Sequence, residues 1–284
     1  MGTHKWLAVV IVVVALVAIV LEFSSNQSGS QDSLADEALA RGTIRIGYVV
    51  YPPNLIKDPN TGALSGISYD IAEKAAENLG LKTNWVEEVC WGSMIEGLRT
   101  ERYDIIGTLI WPNSARAREA AFSTSIMYSI VYPYARSGDT RFDADLSRMN
   151  SARATLATID GEMTSFIAQS DFPSAKTYAL TQNSSVSEVL IGVTSEKADV
   201  TFVEPAIAHD FLKNNPGAIH RIGSIPVRTF GNVFAVKRGE DEFLGMWNTA
   251  IRELIFDGTV KRAVEKYSAT DSFLPTQSPV GNRW

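Results

Sequence analysis

The feature that most constrains this chain is a strand–helix alternation that runs once, stops and begins again. "GTIRIGYVVY" (42–51) reads as a strand, and "ISYDIAEKAAENLG" (67–80) as a helix with Ile71, Ala75 and Leu79 at helical spacing and Gly80 to close it. "LKTNWVEEV" reads as a strand, "WGSMIEGLRTERYD" as a helix with Trp91, Ile95 and Leu98 on one face, and "DIIGTLI" (104–110) as a continuous apolar strand. The pattern restarts with strand 153–159, helix 162–170, strand 175–180, helix 185–196, strand 199–204 and helix 205–215, the last opening on Pro205. Each unit is expected to form a mainly parallel sheet covered by helices.

The end of the chain sets how the units connect. A strand at 230–238 is followed by two helical stretches, the first with Phe243, Trp247, Ile251 and Leu254 on a single face. The second unit already has its own helices, so these return to the first. That predicts an α/β fold of two lobes with chain crossings near 125–130 and 229–233 and a cleft between them. The expected divisions are 38–127 for lobe 1, 128–229 for lobe 2, 230–270 for the return to lobe 1, and 271–284 for a tail without periodicity. Open α/β sheets bind ligands outside the carboxyl ends of their strands. Arg116 lies just past such an end, in "WPNSARAREAAFSTS" (111–125), where a helix start is expected.

Composition removes several functions. The net charge is −6 with both signs interspersed and no basic block, so no nucleic acid partner is expected. Cys90 is the one cysteine, which rules out an intramolecular disulfide and a thiolate metal cage, and reads as a small buried hydrophobe. His4, His209 and His220 are scattered, and no HExxH, GxSxG, P-loop or GxGxxG is present, so neither metal nor cofactor is expected. The apolar run "WLAVVIVVVALVAIVL" (6–21) lies between the length of a signal-peptide core and that of a spanning helix. Residues 1–23 are therefore read as a cleaved signal or a membrane anchor, and 24–37 as a polar linker. Either way the rest of the chain is expected outside the cytoplasmic membrane, periplasmic or at the cell surface.

The order of these pieces resembles the extracellular solute-binding proteins of ABC importers, in their amino-acid-binding family. The likeness rests on "GTIRIGYVVYPPNL", "GALSGISYDIAEKAAENLG", "WGSMIEGLRTERYDII", "RAREAAFS", "KADVTFVE" and the closing "FAVKRGEDEFLGMWNTAIRELIFDGTVKRAVEKY". It implies a hinged, two-lobed fold of the type II periplasmic binding proteins, preceded here by an N-terminal hydrophobic helix. The lobes would close on a small-molecule ligand, an amino acid or similar amine-carboxylate, and deliver it to an ABC permease; the protein is expected to work as a monomer. By the match, Arg116 clamps a ligand carboxylate, a role suited to the planar guanidinium fork. Glu204 falls where the family holds the ligand ammonium, Tyr51 is the expected aromatic wall, and Trp91 and Trp111 are further faces. Arg118 has no matching role. Asp70 and Asp104 match structural positions.

Two departures stand out. Where the family shows Gly-Thr or Gly-Thr-Thr, this chain has Gly161-Glu162-Met163. The backbone N–H groups there can still receive an anion, whereas Glu162 repels a carboxylate or attracts a cation. Upstream of Arg116, Trp111, Asn113 and Ser114 replace the usual small hydroxyl residues. Two acids with aromatic faces favour a cationic or amine-bearing ligand. The alternatives are a ligand-sensing domain serving a membrane partner, and a dehydratase-like enzyme using Glu204 or Glu162 as general acid.

Overall fold

The structure is a computed structural model that describes residues 33–276. The expected N-terminal hydrophobic segment and residues 277–284 lie outside the described residues. Helix α1 (Leu34–Arg41) leads into strand β1 (Thr43–Tyr48), and the hairpin β2 (Ile56–Lys57) and β3 (Leu64–Ser65) precedes α2 (Ile67–Asn78). Strand β4 (Lys82–Glu88), α3 (Met94–Arg99) and β5 (Ile105–Ile110) complete the first unit. A short β6 (Ala120–Phe122) and the long β7 (Met127–Arg136) lead to the second unit: β8 (Thr155–Ile159), α4 (Met163–Asp171), β9 (Lys176–Leu180), α5 (Val186–Thr194), β10 (Val200–Val203), α6 (Pro205–Asn214) and β11 (Ile219–Arg221). The long β12 (Arg228–Lys237) returns the chain to α7 (Asp241–Phe256), α8 (Thr259–Lys266) and β13 (Phe273–Pro275).

The strands follow one hydrogen-bonded order, β4–β1–β5–β12–β7–β10–β8–β9. Strands β4, β1 and β5 run parallel, as do β9, β8 and β10, and the antiparallel β12 and β7 lie between the two sets. Every residue of β5 is buried because helices cover both faces. Ile105 and Leu109 pack with Ile71, Phe234, Trp247 and Leu254, under α2, α7 and α8. Ile106 and Ile110 point the other way, toward Met94, Leu98 and Tyr103. Lobe 2 repeats the scheme, with Ala157 and Ile159 against Val189 and Val193 of α5, and Leu156 against Ile167 of α4.

The two long strands join the lobes. Residues Arg228–Asn232 of β12 pair with Val131–Met127 of β7, while Val233, Ala235 and Val236 pair with β5. The other half of β7, Tyr132–Ala135, pairs with β10. Each strand therefore belongs to both sheets.

Three local features differ from the sequence expectation. Part of the expected linker is helix α1, which begins after Ser33 (its Oγ accepts from the Asp36 amide at 3.3 Å) and ends at Gly42 with φ 69°. Ala35 and Ala38 seat it on the lobe 1 core, a small apolar stripe that the polar surroundings hid. The helix expected at Arg116 is a single 3-10 turn, Arg116–Arg118, with no buried residue to propagate it. The expected tail contributes β13, which adds to β7 with Phe273 opposite Ser129 and buries Phe273 in lobe 1. Among the described residues no helix is long and apolar enough to cross a membrane.

Gly66, just before α2, has φ 121° and ψ 171°, a backbone region open essentially to glycine alone. A Cβ there would stand 2.5 Å from the Asn54 carbonyl oxygen, whereas one at Gly62 (φ 72°) would meet nothing within 4 Å. Gly66→Ala is expected to destabilise the fold by ~3 kcal/mol and Gly62→Ala by about 1 kcal/mol, read from urea unfolding midpoints.

Candidate functional site

The strand order locates the site before any side chain is considered. In lobe 1 the chain goes from β1 out to β4 and back across to β5; in lobe 2 it goes from β8 out to β9 and back to β10. Each order reverses beside its first strand, and the crevice at such a switch point is where α/β sheets receive ligands. Tyr51 follows β1, Trp111 and Arg116 follow β5, Glu162 follows β8 and Glu204 follows β10. The two switch points face each other across the interlobe contact.

Tyr51 is 4% exposed, and its hydroxyl crosses the contact to donate to Glu204 Oε2 at 2.8 Å. Its ring meets Trp91 edge to face, with centroids 5.4 Å apart. Trp91 precedes α3 instead of lying on it, and touches both a lobe 1 and a lobe 2 core cluster. Trp111 stacks on Phe230 of β12, at 4.3 Å between centroids and 11° between planes, and packs against the lobe 2 core.

Arg116 reaches further. Its amide donates to Asn113 Oδ1 (2.8 Å), which closes the turn, and Nη1 donates to the Trp111 carbonyl (2.9 Å). Nη2 donates across the lobes to the Gly161 carbonyl at 2.8 Å, and the guanidinium lies 5.6 Å from the centre of the Phe166 ring. Burial lowers its pKa to about 10, and the Glu162 charge opposes that shift. Among the described residues no carboxylate lies within ion-pair distance of it. Arg118 is exposed, and its carbonyl accepts from Arg238 Nη1 at 3.0 Å.

Glu162 caps α4. Its Oε2 accepts from the Thr164 amide and from Thr164 Oγ1, both at 2.8 Å. Gly161, with φ 75°, makes the turn that aims this cap. Met163 turns its side chain into the lobe 2 core with Ile167 and Phe202, so it offers the site only its backbone. Glu204 begins α6 and is completely buried. The Oε1 atoms of Glu162 and Glu204 are both buried with no hydrogen-bond partner. Burial raises the Glu162 pKa to about 7 against the pull of Thr164, with Glu204 adding repulsion. Burial also raises that of Glu204, against the Tyr51 hydrogen bond.

The structure thus gathers Arg116, Glu204, Tyr51, Trp91, Gly161 and Glu162 at the lobe contact and adds residues that the sequence did not mark. Ser129 and Asn232, paired at 2.8 Å on β7 and β12, are buried near Glu204. Asn54 is buried, donates to the Leu109 carbonyl and leaves Oδ1 unpartnered. Gln182 lies where a Cβ on Gly92 would be. None of these has a local signal, since the pairings join positions far apart in the chain. Asp70 and Asp104 hold the frame: Asp104 takes Arg45 Nε at 3.0 Å and Asp70 takes Lys266 Nζ at 2.7 Å. A separate groove of about 1780 Å³ runs between the lobes, lined by Pro52, Trp91, Gln182 and Ile207 and stopping short of Arg116, Glu162 and Glu204. The two acids are buried, and Arg116 is half-buried.

Two α/β sheets sharing crossing strands, with charged groups gathered between their switch points, define a two-lobed binding protein. The chain belongs to the bacterial extracellular solute-binding proteins, family 3, whose model matches residues 44–270. It is 22% identical over 277 residues to the L-cystine-binding protein TcyA of Bacillus subtilis, covering 94% of this chain and 98% of that one. It is 25% identical over 232 residues to a probable amino-acid ABC transporter-binding protein of Haemophilus influenzae, covering 81% and 86%. In fold it is similar to the ancestral amino acid-binding protein AncCDT-1, a precursor of cyclohexadienyl dehydratase, with TM-score 0.72, 24% identity, and 83% and 99% of the two chains covered.

A carboxyl group whose pKa is higher folded than unfolded holds its proton more tightly in the native state. The stability it confers is complete below pH 4.5 and is lost as the pH rises through about 7. Glu162→Gln keeps the cap and removes the titration, so its unfolding free energy should be flatter between pH 4.5 and 8, by ~3 kcal/mol, in urea titrations without ligand.

Proposed function

We propose that this solute-binding protein captures an amino acid, or a related amine-carboxylate, between its lobes and delivers it to an ABC permease. The observation that carries the reading is that Arg116, from the end of β5, and Glu204, from the end of β10, each make a hydrogen bond across the interlobe contact, to Gly161 and Tyr51 respectively. A guanidinium and a carboxylate held apart can each take one end of a zwitterion. Removal of water strengthens both contacts. In this reading Arg116 takes the ligand carboxylate, Glu204 the ammonium, and Tyr51 and Trp91 form the wall. Each contact is complete only when the lobes meet, so ligand affinity becomes closure, and closure is the signal a permease can read. The relatives named above include a cystine-binding protein and a probable amino-acid ABC transporter-binding protein, in agreement with this ligand class.

The chain acts as a monomer outside the cytoplasmic membrane, with residues 6–21 as its export signal or tether. Binding without turnover is the activity proposed. One observation favours chemistry instead: Glu162, held near neutral pKa in an enclosed space, has the properties of a general acid. His209 and His220 are engaged elsewhere, near Asp271 and Asp143 respectively, and supply no second group. Incubating bound ligand with the protein and following it by NMR separates the two, since a binder returns the ligand unchanged.

Calorimetric titration of the full chain against amino acids tests the main reading. A ligand should be found, and Arg116→Ala should weaken it about 100-fold, or ~3 kcal/mol. Unchanged affinity in that variant would move the carboxylate away from Arg116.

A further inference from the structure

The rim of the site is ordinary for a zwitterion; its charge count is not. Two buried carboxylates, Glu162 at 1% and Glu204 at 0% exposure, share the lobe contact with one guanidinium, Arg116. Each acid has one oxygen satisfied, by Thr164 or by Tyr51, and one oxygen with no partner. The two follow β8 and β10, which are hydrogen-bonded neighbours, and strands so paired lie ~4.8 Å apart. The two acids therefore flank the switch point of lobe 2.

The start of α4 adds a second constraint. A helix N-terminus is a natural seat for an anion. Here the chain fills that seat itself, with the carboxylate of Glu162 on the Thr164 amide and hydroxyl. A ligand carboxylate must then go to Arg116 in lobe 1, since at α4 it would meet Glu162.

Resting on the amino-acid reading above, we propose that Glu162 is the specificity-determining residue of this site and that it selects an amino acid bearing a second cationic group, of net charge +1. Its carboxylate lies on Arg116, and its two cationic groups satisfy Glu204 and Glu162. The enclosed set then sums to zero: two carboxylates and one guanidinium are completed by one net positive charge. A neutral zwitterion would leave one negative charge buried, which is costly unless a proton is taken up. The groups facing Glu162 are Glu204 beyond β10, Tyr51 beyond β1, Arg116 beyond β5 and Thr164 of α4. Of these only Glu204 adds negative charge, so an arriving cation drives Glu162 to ionise and binding releases protons near neutral pH.

The test uses the full chain and two pairs of ligands matched in shape, arginine with citrulline and lysine with norleucine. The charged member of at least one pair should bind 30-fold or more tighter at pH 7.5, with proton release when titrations at pH 6.5 are repeated in buffers of different ionisation enthalpy. Glu162→Gln should shrink that preference below fivefold, chiefly by improving the neutral partner. If the variant does not fold, the wild-type preference is measured from pH 5.5 to 8, where it should grow as Glu162 ionises. A preference below threefold in both pairs, a ratio unchanged in Glu162→Gln, or a ratio flat with pH would each overturn the assignment. Tight binding of neutral amino acids with no preference for charge overturns this inference alone. No binding of any amino acid to the wild-type chain overturns it together with the amino-acid reading.

Discussion

The hydrogen-bonded pair of long strands at the middle of the molecule is the constraint on which everything else rests. Strand β7 pairs with β12 along one half and with β10 along the other, while β12 divides itself between β7 and β5. A ladder of this kind cannot slip by one residue without turning every side chain to the wrong face. It therefore fixes which faces of the two switch points meet across the lobe contact. Strand β13 adds its own ladder to β7, and Ser272 beside it accepts from the Ala206 amide at the start of α6. The hinge is thus tied to the helix that Glu204 caps.

The polar groups at the lobe contact depend on that frame. Tyr51 to Glu204 and Arg116 to Gly161 are both contacts between lobes, the first buried and the second partly so. Neither group has a sufficient partner within its own lobe. Arg116 spends its fork on two carbonyls, and each acid keeps one bare oxygen. Buried groups left in this condition raise the free energy of the closed arrangement, and a ligand of complementary charge removes the cost. In the proposed reading, recognition and closure are therefore one event.

Much of the architecture was legible from periodicity. Runs such as residues 104–110, apolar on both faces, belong to parallel strands covered on both sides, and the face of Phe243, Trp247, Ile251 and Leu254 required a sheet to cover. The misread pieces were those too short to show a period. Helix α1 buries two alanines, the turn at Arg116 buries nothing, and β13 is three residues long. Trp111 was marked in the sequence as an aromatic face, but its stacking on Phe230 was not legible, because the two meet only after the chain has built lobe 2 and returned.

The sequence by itself determined the types of the longer elements, the two-unit plan, and the presence of an arginine and two acids just beyond strand ends. These depend on local spacing, because burial of one face imposes a period of two or 3.6 on neighbouring residues. Only the tertiary structure decided what those charges do. It set Glu162 on the start of α4, tied Tyr51 to Glu204 across the lobes, and left two carboxylate oxygens without partners in an enclosed space. Desolvation and pairing depend on which distant groups are brought together, and that is a property of the packed lobes, not of any stretch of chain.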